Sequence, residues 1–161
     1  EIMPSLVGSE MCIRDRRTGA PIRAYTRISS KPIKPYCMVT EPDIVVVLDP
    51  TLIGSVDITE GLKEGGLILI NSPAPPQKVK KKLGFKGKVG TVDATGIAME
   101  TLGRNIPNAP MLAALAKATG IVDKKTLIRG LKARLSATMK EEVVEANIKA
   151  LERAYKMTKI S

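Results

Sequence analysis

Large apolar residues fall into short continuous runs in one part of the chain and into helix-spaced stripes in another. The run Asp43–Pro50, DIVVVLDP, places consecutive large apolar residues between acidic ends. It predicts a strand buried on both faces, as strands of parallel sheets are. Gly66–Asn71 (GLILIN) and Lys88–Asp93 (KVGTVD) repeat the grammar, each running apolar into a polar residue ahead of a segment able to form a helix. Strand, polar end and helix in repetition predict an α/β layer with a mostly parallel sheet. In such sheets ligands bind beyond the carboxyl ends of the strands, so Asp49, Pro50 and Thr51 lie where function is to be sought.

The helical stripes follow. Asp57–Glu64 predicts a short helix closed by Gly65 and Gly66. Pro75 or Pro76 opens a helix ending at Gly84, and Thr95–Leu102 forms one stopped by Gly103. Asn108 is placed to cap a helix through Thr119 that tolerates Pro110 in its first turn and ends at Gly120. That helix, PMLAALAKAT, is apolar nearly all round. Burial against its own sheet and against a partner is expected of it. Asp123 starts another short helix. Thr138 and Glu141 have capping-box spacing before a last helix, whose Val144, Ile148, Leu151 and Tyr155 make one core-facing stripe. Upstream, Ile22–Ser29 alternates as a strand. Lys31–Val39, broken by Pro32 and Pro35, is expected to return beside it as an antiparallel addition to the sheet.

Residues 1–16, EIMPSLVGSEMCIRDR, have no apolar period and no cap pattern, and they fail as a signal peptide for want of a continuous hydrophobic core. Leu6–Asp15 resembles a one-frame translation of the transposon-end adapter used in sequencing libraries, and Glu1–Ser5 fits the primer ahead of it. The segment is therefore expected to be foreign and without structure, with the native gene cut open near Arg17.

Without those residues the chain carries 24 basic and 13 acidic side chains, net +11. The remaining length suits one domain. Cys37 is then the only thiol, which excludes an internal disulfide and a cysteine cage for an iron–sulfur cluster and points to the cytoplasm. No run reaches the ~20 apolar residues that span a bilayer. A positive balance raises nucleic acid as a partner, but Tyr25, Tyr36, Phe85 and Tyr155 are the only aromatics and do not interleave with basic residues. The densest run, Lys78–Lys82, reads as a solvated helix face, or as a dock for an acidic partner.

Histidine is absent, which removes the usual general base at neutral pH and any Ser/His or Cys/His nucleophile. Asp49, Asp57 and Asp93 show no metal-ligand spacing, and Asp57 reads as a helix cap. There is no Walker loop and no GxGxxG, and the glycines of GLKEGG are explained by helix closure. Gly103–Gly120 stands apart, because Arg104, Asn105 and Asn108 precede an apolar helix and gather a guanidinium, amides and helix N–H groups. Capping and turn chemistry account for the same residues equally well.

RTGAPIRAYTRIS (Arg17–Ser29), PDIVVVLDPTL (Pro42–Leu52), EGLKEGGLILIN (Glu60–Asn71), KVGTVDATGIAMETLGRNIPNAPMLAALAKATGIV (Lys88–Val122) and EEVVEANIKALERAYK (Glu141–Lys156) together resemble the gamma subunits of 2-oxoacid:ferredoxin oxidoreductases, the pyruvate and ketoisovalerate enzymes. The resemblance implies a Rossmann-like three-layer α/β subunit, here lacking the family's first strand and its glycine-rich turn. It further implies alpha, beta and delta partner subunits that hold thiamine diphosphate, Mg and [4Fe–4S] clusters, with this chain itself binding no cofactor and supplying no catalytic residue or metal ligand. The complex would convert a 2-oxoacid, coenzyme A and oxidised ferredoxin to acyl-CoA, carbon dioxide and reduced ferredoxin, without nucleic acid or membrane. A role in coenzyme A handling and assembly follows, with Thr18, Gly19, Asn71, Thr95, Arg104, Asn105 and Asn108 as candidate binding residues. The rival readings are a stand-alone nucleotide-binding α/β protein and a basic nucleic-acid module.

Overall fold

In a computed structural model of the chain, residues 9–11 (backbone), 22–30, 32–33 and 38–161 are described. They belong to two compact units, Glu1–Glu41 and Pro42–Ser161.

In the first unit, β1 (Ser9–Met11) pairs antiparallel with β2 (Ala24–Thr26), Glu10 opposite Tyr25. Two expectations change here. Residues 1–16 were expected to lack structure, yet Ser9–Met11 forms a ladder; pairing uses backbone N–H and C=O groups that any sequence supplies. The expected strand at Ile22–Ser29 shortens to three residues and joins this two-stranded sheet, not the main one. Lys31 and Lys34–Cys37, the body of the expected return strand, lie outside the described residues, as do Thr18 and Gly19.

The second unit is built on a four-stranded sheet in the order β3 (Ile44–Val47), β4 (Leu67–Asn71), β5 (Lys88–Val92), β6 (Lys159–Ile160). β3, β4 and β5 run parallel and β6 is antiparallel, a mostly parallel sheet. The side chains of β4 alternate between two cores. Ile68 and Ile70 pack with Val47, Val89 and Val79, the last from α1 (Pro76–Leu83). Leu69 packs on the other face with Val92, with Ile97 of α2 (Ala94–Leu102), Met111 and Ala114 of α3 (Asn108–Thr119), and Leu151 and Ala154 of α5 (Glu141–Met157). Helices thus cover both faces, giving three layers.

β3 is parallel as expected but not buried on both faces. Among the described residues it is an edge strand, and Val46 stays 39% exposed while Ile68, Leu69 and Ile70 are at 0%. Asp57–Glu64 is a series of turns, not a helix. Its cause is local: Asp57 accepts from both the amide and hydroxyl of Thr59 (2.9 and 2.6 Å), and Gly61 adopts φ 71°, which interrupts a right-handed helix.

Asp123 caps α4 (Lys124–Ser136) through Thr126 N–H at 2.9 Å, and this helix is three turns long, not short. The capping box at Thr138 does not form; Thr138 N–H donates to Leu135 C=O at 3.0 Å, finishing α4, and Lys140 takes the cap position of α5 with no side-chain bond. The expected stripe of α5 holds, with Val144 and Leu151 buried and Ile148 and Tyr155 half-buried. Lys124 pairs with Glu152 at 2.8 Å and joins α4 to α5. The apolar α3 finds most of its partners within the unit, burying Met111, Ala113, Ala114 and Ala116 against α5 and the sheet, while Leu112 remains exposed.

Candidate functional site

The three parallel strands end side by side in Leu48 and Asp49, Asn71, and Asp93. Asn71 continues the inward alternation of β4, so its amide is carried to the carboxyl end of the sheet at 3% exposure. A buried amide must be bonded, and this one is bonded on all sides. Its Nδ2 donates to Leu48 C=O and to Thr95 Oγ1, both at 2.8 Å. Its Oδ1 accepts from Ala94 N–H at 3.0 Å and Thr95 N–H at 3.2 Å. One side chain therefore ties the ends of β3 and β4 to the start of α2.

The rest of that helix start is also occupied. Asp93 Oδ1 accepts from Gly96 N–H at 2.8 Å. The first amides of α2, which on an open sheet could cradle an anion, are turned onto Asn71 and Asp93. What remains beside them is the half-buried Thr95 hydroxyl, which accepts from Asn71 and keeps its proton to donate, together with the exposed Asp49. The Asp49 carboxylate accepts from Thr51 Oγ1 at 2.7 Å and Thr51 N–H at 2.9 Å, which hold its pKa below the ordinary carboxylate value. Such a rim can position a polar ligand. It offers no group poised to exchange a proton near neutrality.

The expected residues separate into three groups. Asn71 and Thr95 are brought into direct contact. Arg104, Asn105 and Asn108 are all exposed and lie beyond the far end of α2, so the length of that helix, about 13 Å, separates them from Thr95. Asn108 does not cap α3; Pro107 holds the cap position and Asn108 is the first helical residue, and no side chain caps this helix. Thr18 and Gly19 lie outside the described residues.

Sequence reasoning passed over Lys117. Its ammonium donates to the carbonyls of Lys156 (3.2 Å) and Thr158 (3.0 Å) and lies 5.9 Å from the centroid of the Tyr155 ring. It fastens the end of α5 to α3, and its signal was a single cation in an otherwise apolar helix. Among the described residues no group of three or more His, Cys, Asp and Glu side chains is arranged to hold a metal. No helix among them is long and apolar enough to cross a membrane.

Residues 13–157 match the family of pyruvate ferredoxin/flavodoxin oxidoreductases. Over 143 residues the chain is 46% identical to the gamma subunit common to the pyruvate and ketoisovalerate oxidoreductases of Thermococcus kodakarensis, spanning 88% of this chain and 75% of the relative. It is 44% identical over 145 residues to the pyruvate synthase subunit PorC of Thermotoga maritima, spanning 90% and 75%. The crystal structure of the Thermotoga maritima pyruvate oxidoreductase subunit PORC superposes with a TM-score of 0.81 at 41% identity, covering 97% of this chain and 82% of that one. A more distant structure, a keto/oxoacid ferredoxin oxidoreductase gamma subunit from Geobacter sulfurreducens, shares the fold at a TM-score of 0.59 and 21% identity. The α/β layering, the satisfied strand ends and these likenesses together place the chain in the pyruvate ferredoxin/flavodoxin oxidoreductase family, among its gamma subunits.

Proposed function

We propose that the chain serves a cytoplasmic complex that oxidises a 2-oxoacid, pyruvate in the first instance, transferring the acyl group to coenzyme A, releasing carbon dioxide and passing the electrons to ferredoxin. Thiamine diphosphate, Mg and [4Fe–4S] clusters belong in this reading to alpha, beta and delta subunits. The observation that carries it is the identity of 46% and 44% with a gamma subunit of pyruvate/ketoisovalerate oxidoreductases and a pyruvate synthase subunit, sustained along nearly the whole chain. The chain's own chemistry agrees: it has no histidine, and the carboxyl end of its sheet is built to hold and position.

Coenzyme A handling is assigned to the rim at Asn71 and Thr95, with Asn71 fixing the helix start and the Thr95 hydroxyl facing the ligand. Thr18 and Gly19 are proposed for the same ligand on the strength of the family motif RTGAP. Arg104, Asn105 and Asn108 are assigned to contact with the adjoining catalytic subunit, because they are exposed at the other end of α2 beside the exposed apolar side chains of Ile106 and Leu112. The test is to express the uninterrupted gene with its neighbours and measure pyruvate- and coenzyme A-dependent reduction of ferredoxin. A chain that purifies alone and binds ATP or NAD, but not coenzyme A, without partners would overturn the reading in favour of a stand-alone nucleotide-binding protein.

A further inference from the structure

We propose that the lysines gathered at the amino edge of the sheet on the α1 side form a transient electrostatic dock for the complex's acidic electron carrier; this rests on the function proposed above. Lys80, Lys81 and Lys82 form the last turn of α1 and Lys86 follows in the loop ahead of β5, whose first residue pairs with Leu67, the first residue of β4. They therefore collect at the end of the sheet opposite Asn71. Lys78, Lys81 and Lys82 stand at i, i+3 and i+4 on the outward face of α1, while Val79 and Pro76 turn inward.

Three observations point to a partner. No acidic residue occurs between Glu64 and Asp93, so six lysines have no counter-charge within their own stretch of chain. Among the described residues none of the six takes part in an ion pair, although Lys63, Lys124 and Arg153 each find a carboxylate. A helix C-terminus favours nearby cations, but its partial charge is about half a unit and cannot account for the four lysines Lys80, Lys81, Lys82 and Lys86.

The third observation selects the kind of partner. Between Leu48 and Met99 no large hydrophobic side chain is exposed; the exposed ones come later, from Met99 to Ile160, and Ile160, beside β5, lies with Gly90 and Leu69 on the face of the sheet away from α1. A charged face without apolar anchors suits a small, wet, short-lived encounter and not a permanent subunit interface. Ferredoxins and flavodoxins present carboxylate-rich faces, the complementary charge, and the family is named for them.

The experiment uses the assembled complex with Lys81→Glu, Lys82→Glu and Lys86→Glu combined, and with the three Lys→Gln changes as a milder companion should the first fail to fold. Ferredoxin reduction is measured against ionic strength, with methyl viologen as a small acceptor that needs no protein dock. The expected result is a KM for ferredoxin raised about tenfold or more at low salt, a flattened salt dependence, and unchanged viologen turnover, because steering by complementary charge changes encounter rates by about 10–1,000-fold. A KM within twofold of the unaltered complex would overturn the dock. So would failure of the variant to enter the complex, which would mark a subunit interface, or an effect confined to retention of DNA or RNA. Absence of pyruvate-dependent viologen reduction in the unaltered complex would instead overturn the proposed function, and this inference with it.

Discussion

β3 and β4 are written in nearly the same letters, IVVV and LILIN, and they meet opposite fates. Every residue of β4 is buried, with β3 and β5 on its two edges and a helical layer on each face. Among the described residues β3 has β4 on one edge only, and of its four residues only Val47 is buried. Apolar content sets what a strand can bury. Its neighbours set what it does bury, and the same difference separates two asparagines of this molecule, Asn71 and Asn108.

The largest effect should come from removing atoms where neighbours are complete. Ile70→Ala deletes a side chain at 0% exposure between Val47, Val89 and Val79 and should cost about 2–5 kcal/mol, lost transfer energy plus a cavity. Val46→Ala in β3 should cost about 1 kcal/mol or less, since its side chain is already partly in water. Urea unfolding of the two variants compares them directly. Equal losses would mean that β3 is covered to the same degree as β4.

Asn71→Ala comes next, at about 2–3 kcal/mol. It strands Leu48 C=O and two α2 amides at the end of the sheet, and a buried polar group left without its partner costs its own desolvation. The midpoint of chemical unfolding reads this loss. A variant as stable as the parent would show that water replaces the amide and that the strand ends do not depend on it.

The backbone offers a finer probe. Leu67 N–H donates to Asp43 C=O at 3.1 Å, so the amides of Val45 and Val47 turn toward β4, and those of Ile44 and Val46 turn to the open edge. Hydrogen exchange at Ile44 and Val46 should be at least about tenfold faster than at Ile68 and Ile70, as opening free energies fall toward zero where pairing ends. Equal protection would reveal a strand seated on that edge.

Much of this was legible in the sequence, and the failures share a cause. The three parallel strands, the helices from α1 to α5 and the glycine stops at Gly84, Gly103 and Gly120 followed from local periodicity and from the left-handed conformations that glycine alone adopts freely, with φ between 62° and 67° at all three. The edge position of β3 was not legible, because strand order is a property of pairing partners. The helix expected at Asp57–Glu64 failed because one aspartate can serve a turn as well as a cap, and only the partner it finds, Thr59, decides. Of the candidate site, Asn71 and Thr95 could be picked out as strand end and helix start. That Arg104 sits a helix length away from them could not, since spacing along a chain does not tell which end of the sheet a loop returns to.

The smallest effects test the lesson on two asparagines. Asn71 and Asn108 each stand near the start of a helix, and both were expected to bind ligand. Asn71 has four hydrogen bonds within the chain, whereas Asn108 is exposed in the first turn of α3 with Pro107 before it and no capping bond. Asn108→Ala should therefore leave stability within ~0.5 kcal/mol, where a true cap would cost ~1 kcal/mol. Arg104→Ala and Asn105→Ala, also exposed, should behave alike in the isolated subunit. If the loop meets the adjoining subunit, the three changes combined should weaken assembly on size-exclusion chromatography of the complex while the subunit's own unfolding midpoint stays put. Loss of stability at Asn108 would restore the capping role and remove the contrast between the asparagines. Normal assembly together with normal stability would sink the interface assignment and leave turn chemistry as the whole account of that loop.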